Sequence, residues 1–116
     1  MEHKLDFMQY IKDRIQGKAP KGAKRSPQWR AVRDLHIKLN PQCIVCGGKT
    51  KLVAHHIIPF SIAPDLELNM ENLLTLCESK KYGINCHLFM GHLGGYRRVN
   101  PTCLSDALTW QMKLAN

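Results

Sequence analysis

The sequence contains no run of about eighteen apolar residues, which excludes a membrane-spanning helix within it. The opening Met1-Glu2-His3-Lys4 leads into no signal-peptide core, so a cytoplasmic protein with reduced thiols is the expectation. Acidic residues are scarce. Nine Asp and Glu face seventeen Lys and Arg, a net charge of +8 with a pI near 9.5. That balance suits a polyanionic partner, nucleic acid first. The excess is concentrated early: residues 1–38 hold ten basic against four acidic side chains. An even set of cysteines is also missing. Five thiols cannot all pair as disulfides, and the Cys-x-x-Cys spacing favours metal. No internal repeat exists beyond two cysteine pairs. A chain of 116 residues favours one domain with a modest core, which a metal staple would help.

Along the chain, Phe7, Met8, Ile11 and Ile15 make a helical stripe, so 4–16 reads as an amphipathic helix closed by Gly17. Lys18 to Arg25 has Pro, Gly and basic residues but no apolar period, and reads as a flexible basic linker. Residues 1–25 thus form an N-terminal helix and linker, and 26–116 the domain with its C-terminal helix. Ser26-Pro27 is a good helix start, and Trp29, Val32, Leu35 and Leu39 predict one buried side as far as Asn40-Pro41. Lys51 to Ile58 reads as a strand broken by Pro59, residues 60–70 as a loop, and Asn72 to Cys77 as a second short strand. Residues 78–85 are a polar insertion whose Lys80, Lys81 and Tyr82 read as a solvated loop. Cys86 to Leu93 reads as helical, and Asn100-Pro101 opens a last helix to about Leu114. Cys103 sits in that apolar helix and reads as core.

The chemistry-bearing residues cluster. Cys43-Ile-Val-Cys46 lets one turn aim both sulfurs at one ion, and Gly47-Gly48 permits the left-handed backbone such turns need. Cys77 and Cys86 supply the other half, at wider spacing. Four thiolates can close a structural zinc site; the alternative is four buried free cysteines. Between the pairs stands His55-His56. Consecutive strand residues face opposite ways, so these two cannot easily chelate one ion together. They can flank one phosphate, one on a metal and the other activating water. His87 is placed at a helix start to complete the metal site, while His92 follows five residues later rather than the four of one helix face. His3 and His36 read as packing or solvent-facing residues. A structural metal beside a reactive one, on a basic chain, points to metal-dependent cleavage of nucleic acid.

From about Trp29 to His92 the chain resembles the HNH endonucleases. The likeness rests on Trp29-Arg30, on Pro41-Gln42-Cys43-Ile44-Val45-Cys46 and on Ala54-His55-His56-Ile57-Ile58-Pro59, followed by Asn72-Leu73-Leu74-Thr75-Leu76-Cys77 and Cys86-His87. The resemblance implies an α+β ββα-metal (His-Me finger) core: two strands, then a helix, around a divalent cation. It implies His55 as first metal ligand, His56 as general base, Asn72 as a loop-holding residue and His87 as a further ligand. His92 matches an additional histidine of some members. The Asn72–His87 spacing is longer than the family's usual one, because of the 78–85 insertion. The implied activity is hydrolysis of phosphodiester bonds in DNA, with little sequence specificity or by nicking. Zn2+ is the implied structural metal; Mg2+, Mn2+ or another divalent transition metal would be catalytic. Lys18, Lys21, Lys24, Arg25, Arg97 and Arg98 are the expected phosphate contacts. A non-catalytic zinc-stabilised DNA-binding module and an RNA-cleaving nuclease are the alternatives. Family analogy associates small standalone nucleases with phages or mobile elements.

Overall fold

A computed structural model describes residues 24–80 and 83–115. The expected helix over 4–16, most of the linker, and Lys81-Tyr82 lie outside them. The architecture is α+β, as predicted. Helix α1 (Trp29–Leu39) precedes strands β1 (Leu52–His56) and β2 (Leu73–Cys77), a π-helical segment (His87–Gly91) and helix α2 (Cys103–Ala115). No helix among the described residues is long and apolar enough to cross a membrane.

Serine 26 still helps to start α1, but one turn early. Its Oγ accepts from Gln28 N at 3.1 Å, and its carbonyl accepts from Trp29 N at 3.1 Å. The buried side of α1 differs from the predicted one. Leu35 and Leu39 are exposed, whereas His36 is buried. The inward stripe is Trp29, Val32, Arg33, His36 and Ile37, which follows the helical i, i+3, i+4, i+7, i+8 spacing. Counting only apolar residues selected the neighbouring side, because the stripe includes a histidine and an arginine stem.

His36 illustrates what burial of such a residue does. Both ring nitrogens are buried and have no hydrogen-bond partner among the described residues, and desolvation lowers the pKa below its usual value. The unfolded chain therefore binds a proton more readily than the fold does. This site leaves stability intact above its unfolded pKa near 6.5 and removes it as pH falls through that value, by at most about 1.4 kcal/mol per pH unit. Denaturation of the wild type and His36→Leu at pH 7.5 and pH 5 should show the gap moving in the variant's favour at the lower pH. A gap independent of pH would contradict this account.

The strands pair antiparallel, from Leu52 opposite Cys77 to His56 opposite Leu73. Ala54, Thr75 and His56 share one face, and Val53, Leu76 and His55 the other. Alternation thus splits the histidine pair, as the sequence predicts. The link from β1 to β2 contains 3-10 turns at Pro64–Leu66 and Met70–Asn72. Buried Asn72 holds it: Oδ1 accepts from Ile58 N at 2.9 Å, and Nδ2 donates to Ile58 O and Leu66 O at 3.1 and 3.4 Å. Asn100 anchors α2 behind the π-helical segment, donating from Nδ2 to Met90 O at 2.7 Å. The core centres on Leu76, Cys77 and Cys103, so Cys103 is core as expected.

Candidate metal centres and hydrolytic site

Cys43, Cys46, Cys77 and Cys86 meet at one end of the core, all buried, with sulfurs within 4.8 Å of one another. The first pair lies on a knuckle closed by Cys43 N to Gly48 O and Gly47 N to Cys43 O, with Gly47 at φ +75°. Cys77 comes from the end of β2 and Cys86 from the start of the π-helical segment, so the long spacing between them closes in space. Cys46 Sγ lies 3.5 Å from Cys77 Sγ. Four ligands about 2.3 Å from a zinc ion have sulfur–sulfur edges of about 3.8 Å, so the cluster fits. Gly48 N and Ser79 Oγ donate to Cys46 and Cys77 sulfurs at 3.4 and 3.2 Å. A hydrogen bond from Cys86 pulls Cys43 well below the ordinary thiol range, and the same contact, with burial, pushes Cys86 up. These four thiols can hold a metal ion such as zinc.

The second cluster is His55, His87 and His92, whose candidate ligand atoms also lie within 4.8 Å of one another. Ring centroids stand 4.8 to 5.2 Å apart with near-perpendicular planes. Residues five apart on an α-helix diverge by about 140°. The π-helical turn, built on i→i+5 spacing, instead brings His87 and His92 to one side. His87 Nδ1 is 2.9 Å from Glu78 Oε2, and His92 Nδ1 is 3.1 Å from Arg98 O. Carboxylate and carbonyl oxygens accept, so each Nδ1 donates and each Nε2 keeps its lone pair. The two Nε2 atoms lie 3.3 Å apart. Nitrogens sharing one ion at about 2.1 Å in a tetrahedral site are about 3.4 Å apart, and facing lone pairs call for a cation. His55 Nε2 is buried and unpartnered among the described residues, which completes the fit. Burial first, then the neighbouring imidazoles, lower the His55 pKa to about 3, so its nitrogens stay neutral. His87 is also lowered, by burial against the opposing pull of Glu78.

Gly91 makes room for this cluster. A Cβ there would stand 2.9 Å from His55 Cε1, 3.1 Å from Nδ1 and 3.2 Å from Nε2. Alanine normally stabilises a helix relative to glycine by about 1 kcal/mol. Here the buried ring would have to move. Gly91→Ala should therefore weaken Mn2+ binding at the histidines about tenfold to a hundredfold, as misplaced ligands do. Unchanged affinity in a metal titration would show that the ring is not held against Gly91.

His56 lies on the opposite face, stacked on Trp29 with centroids 4.4 Å apart at 30°. Its Nε2 is 2.9 Å from Glu67 O. A carbonyl only accepts, so Nε2 carries the proton and Nδ1 is left as a base. Burial lowers the pKa, partly offset by the Glu67 carbonyl, so the ring is neutral at physiological pH.

Of the expected phosphate contacts, Lys24, Arg97 and Arg98 are exposed, and Arg98 Nη1 donates to Leu93 O at 3.3 Å. Arg25 is half exposed, 3.5 Å from buried Glu67 and 4.4 Å over Phe60. Lys18 and Lys21 fall outside the described residues. Sequence reasoning missed Glu67, Glu78 and Gly91. A glycine inside a predicted helix was the one available signal of close approach.

Two antiparallel strands followed by a helical turn, with clustered imidazoles and a four-thiol site, agree with the ββα arrangement that the resemblance to the HNH endonucleases implies. Residues 43–88 match the family model described as HNH endonuclease. The match includes the four cysteines, His55, His56, Asn72 and His87; His92 lies just beyond it. Comparison with curated proteins and with solved structures gave no match. Enzymes of this family are nucleases that use divalent metals, which supports hydrolysis of nucleic acid as the general activity.

Proposed function

We propose that the chain is a metal-dependent endonuclease that hydrolyses phosphodiester bonds in DNA, with little sequence specificity or by nicking. The observation that carries this reading is the convergence of His55, His87 and His92, with the next strand residue, His56, donating from Nε2 to Glu67 O and so keeping Nδ1 to accept a proton. His55, His87 and His92 would hold the catalytic cation, and three imidazoles without a carboxylate suit a transition metal such as Mn2+, Ni2+ or Co2+ better than Mg2+. When bound, the ion offsets charge growing on the scissile phosphate and the leaving 3′ oxygen. His56 Nδ1 takes the proton from the attacking water. Its lowered pKa keeps it in the form that accepts. Glu78 and the Arg98 carbonyl fix the ligand rings, and Asn72 fixes the loop after β1. The four cysteines hold zinc and serve the fold. Reduced thiols and a DNA substrate fit the cytoplasm.

A plasmid-relaxation assay tests the reading, with a chelator control and a matched RNA substrate. Nicked or linear plasmid that disappears with chelation is expected. Cleavage of RNA alone would make it a ribonuclease, and DNA binding without cleavage a zinc-stabilised binding module.

Arg97, Arg98 and the linker lysines are assigned to phosphates. Neutralising Lys18, Lys21 and Lys24 together should weaken binding at every sequence and flatten its salt dependence, because fewer counterions are released. Thermal stability should change by no more than about 0.5 kcal/mol. An unchanged salt slope would leave this stretch as a linker only.

A further inference from the structure

Glu67 touches the hydrolytic face twice, through different atoms. Its carbonyl accepts from His56 Nε2 at 2.9 Å. Its carboxylate, on a residue only 4 % exposed, accepts from Ser26 N at 2.9 Å and lies 3.5 Å from Arg25 Nη1. Arg25 in turn lies over Phe60 at 4.4 Å and over Trp29 at 5.9 Å, and Trp29 is the ring stacked on His56. One acidic residue thus fixes the edge of the imidazole directly and its stacked face through the root of the basic linker. The loop leaves its carbonyl little freedom: Glu67 N donates to Pro64 O at 3.2 Å, and Leu66 O accepts from Asn72.

We propose that Glu67 is a positioning residue for His56, clamping the ring as its Nε2–H form and tying it to the Arg25–Trp29 segment. This deepens the nuclease reading and rests on it. The clamp also gives Arg25 a task other than gripping phosphate. A phosphate contact would appear in KM, whereas a clamp on the base appears in kcat.

The test compares Glu67→Ala, Glu67→Gln and His56→Ala in the full, zinc-loaded chain, using plasmid cleavage and the 15N spectrum of the histidine rings. Glu67→Ala should lower kcat about tenfold to a hundredfold with little change in KM, as a misplaced reacting group does. The Glu67 carbonyl remains, so the Nε2–H tautomer should persist, while the His56 ring resonances shift as the Arg25–Trp29 segment against its face loosens. Glu67→Gln keeps an acceptor for Ser26 N and should recover most of both. If Glu67→Ala does not retain zinc, Arg25→Ala reads the same clamp from its exposed side, with the same loss in kcat. A zinc-loaded Glu67→Ala with wild-type kcat, or with lowered kcat and an unchanged His56 ring, would overturn the proposal. Full activity in His56→Ala would instead overturn the nuclease reading. Should the wild type fail to cleave, the ring spectra alone still decide whether the clamp exists.

Discussion

Replacing His56 with alanine should abolish cleavage while leaving zinc content and the folded state intact. The expectation follows from two atoms of one ring. Nε2 is committed to the Glu67 carbonyl, so Nδ1 is the nitrogen able to accept a proton. No other described histidine is arranged this way. His87 and His92 spend Nδ1 on Glu78 and Arg98 O and turn Nε2 towards each other, and His55 is buried between them. Losing a general base costs about 10²–10⁴ in rate. The ring is half-buried against Trp29, so the variant loses a stacking contact as well, and a thermal melt must accompany the assay. Near-full activity in a folded, zinc-loaded His56→Ala would sink the assignment.

The second large effect concerns the fold. Cys43→Ser should unfold or aggregate the domain. The four thiols are integral to the core: Cys77 is fully buried, and the others are at most 8 % exposed. They join the knuckle, the end of β2 and the start of the π-helical segment. Structural zinc supplies apparent binding energies of about 10–16 kcal/mol to small domains, far above the usual stability margin. Losing one thiolate therefore removes more than the core can replace. Cys103→Ala is the control, since that thiol is equally buried but outside the cluster. It should cost some stability and no metal. A stable Cys43→Ser that retains zinc would contradict the assignment.

The ligand types were legible in the sequence because chemistry constrains them tightly. A Cys-x-x-Cys knuckle has few other uses, and strand alternation separates His55 from His56 without any knowledge of the fold. The arrangement of His92 was not legible. Five-residue spacing fails on an α-helix, and nothing in Cys86 to Leu93 announces a π-helical turn. The phase of α1 misled for another reason. Leu35 and Leu39 are the more apolar residues, yet His36 faces the sheet, because burial was decided by the packing of Trp29 and Val32 rather than by hydropathy. Glu67 and Glu78 were invisible because they act on histidines distant in sequence. Glu78 meets His87 across the insertion, and Glu67 meets His56 across the loop after β1.

Removing the labile metal without disturbing the zinc tests the central claim most directly. The purified chain would be treated with a chelator, and zinc content and plasmid cleavage measured on the same sample before and after Mn2+ is restored. Two separate centres predict that about one zinc per chain survives, that cleavage disappears, and that Mn2+ brings it back. Cleavage that persists in the chelated protein, with no metal beyond the zinc, would contradict the assignment of a catalytic cation to His55, His87 and His92.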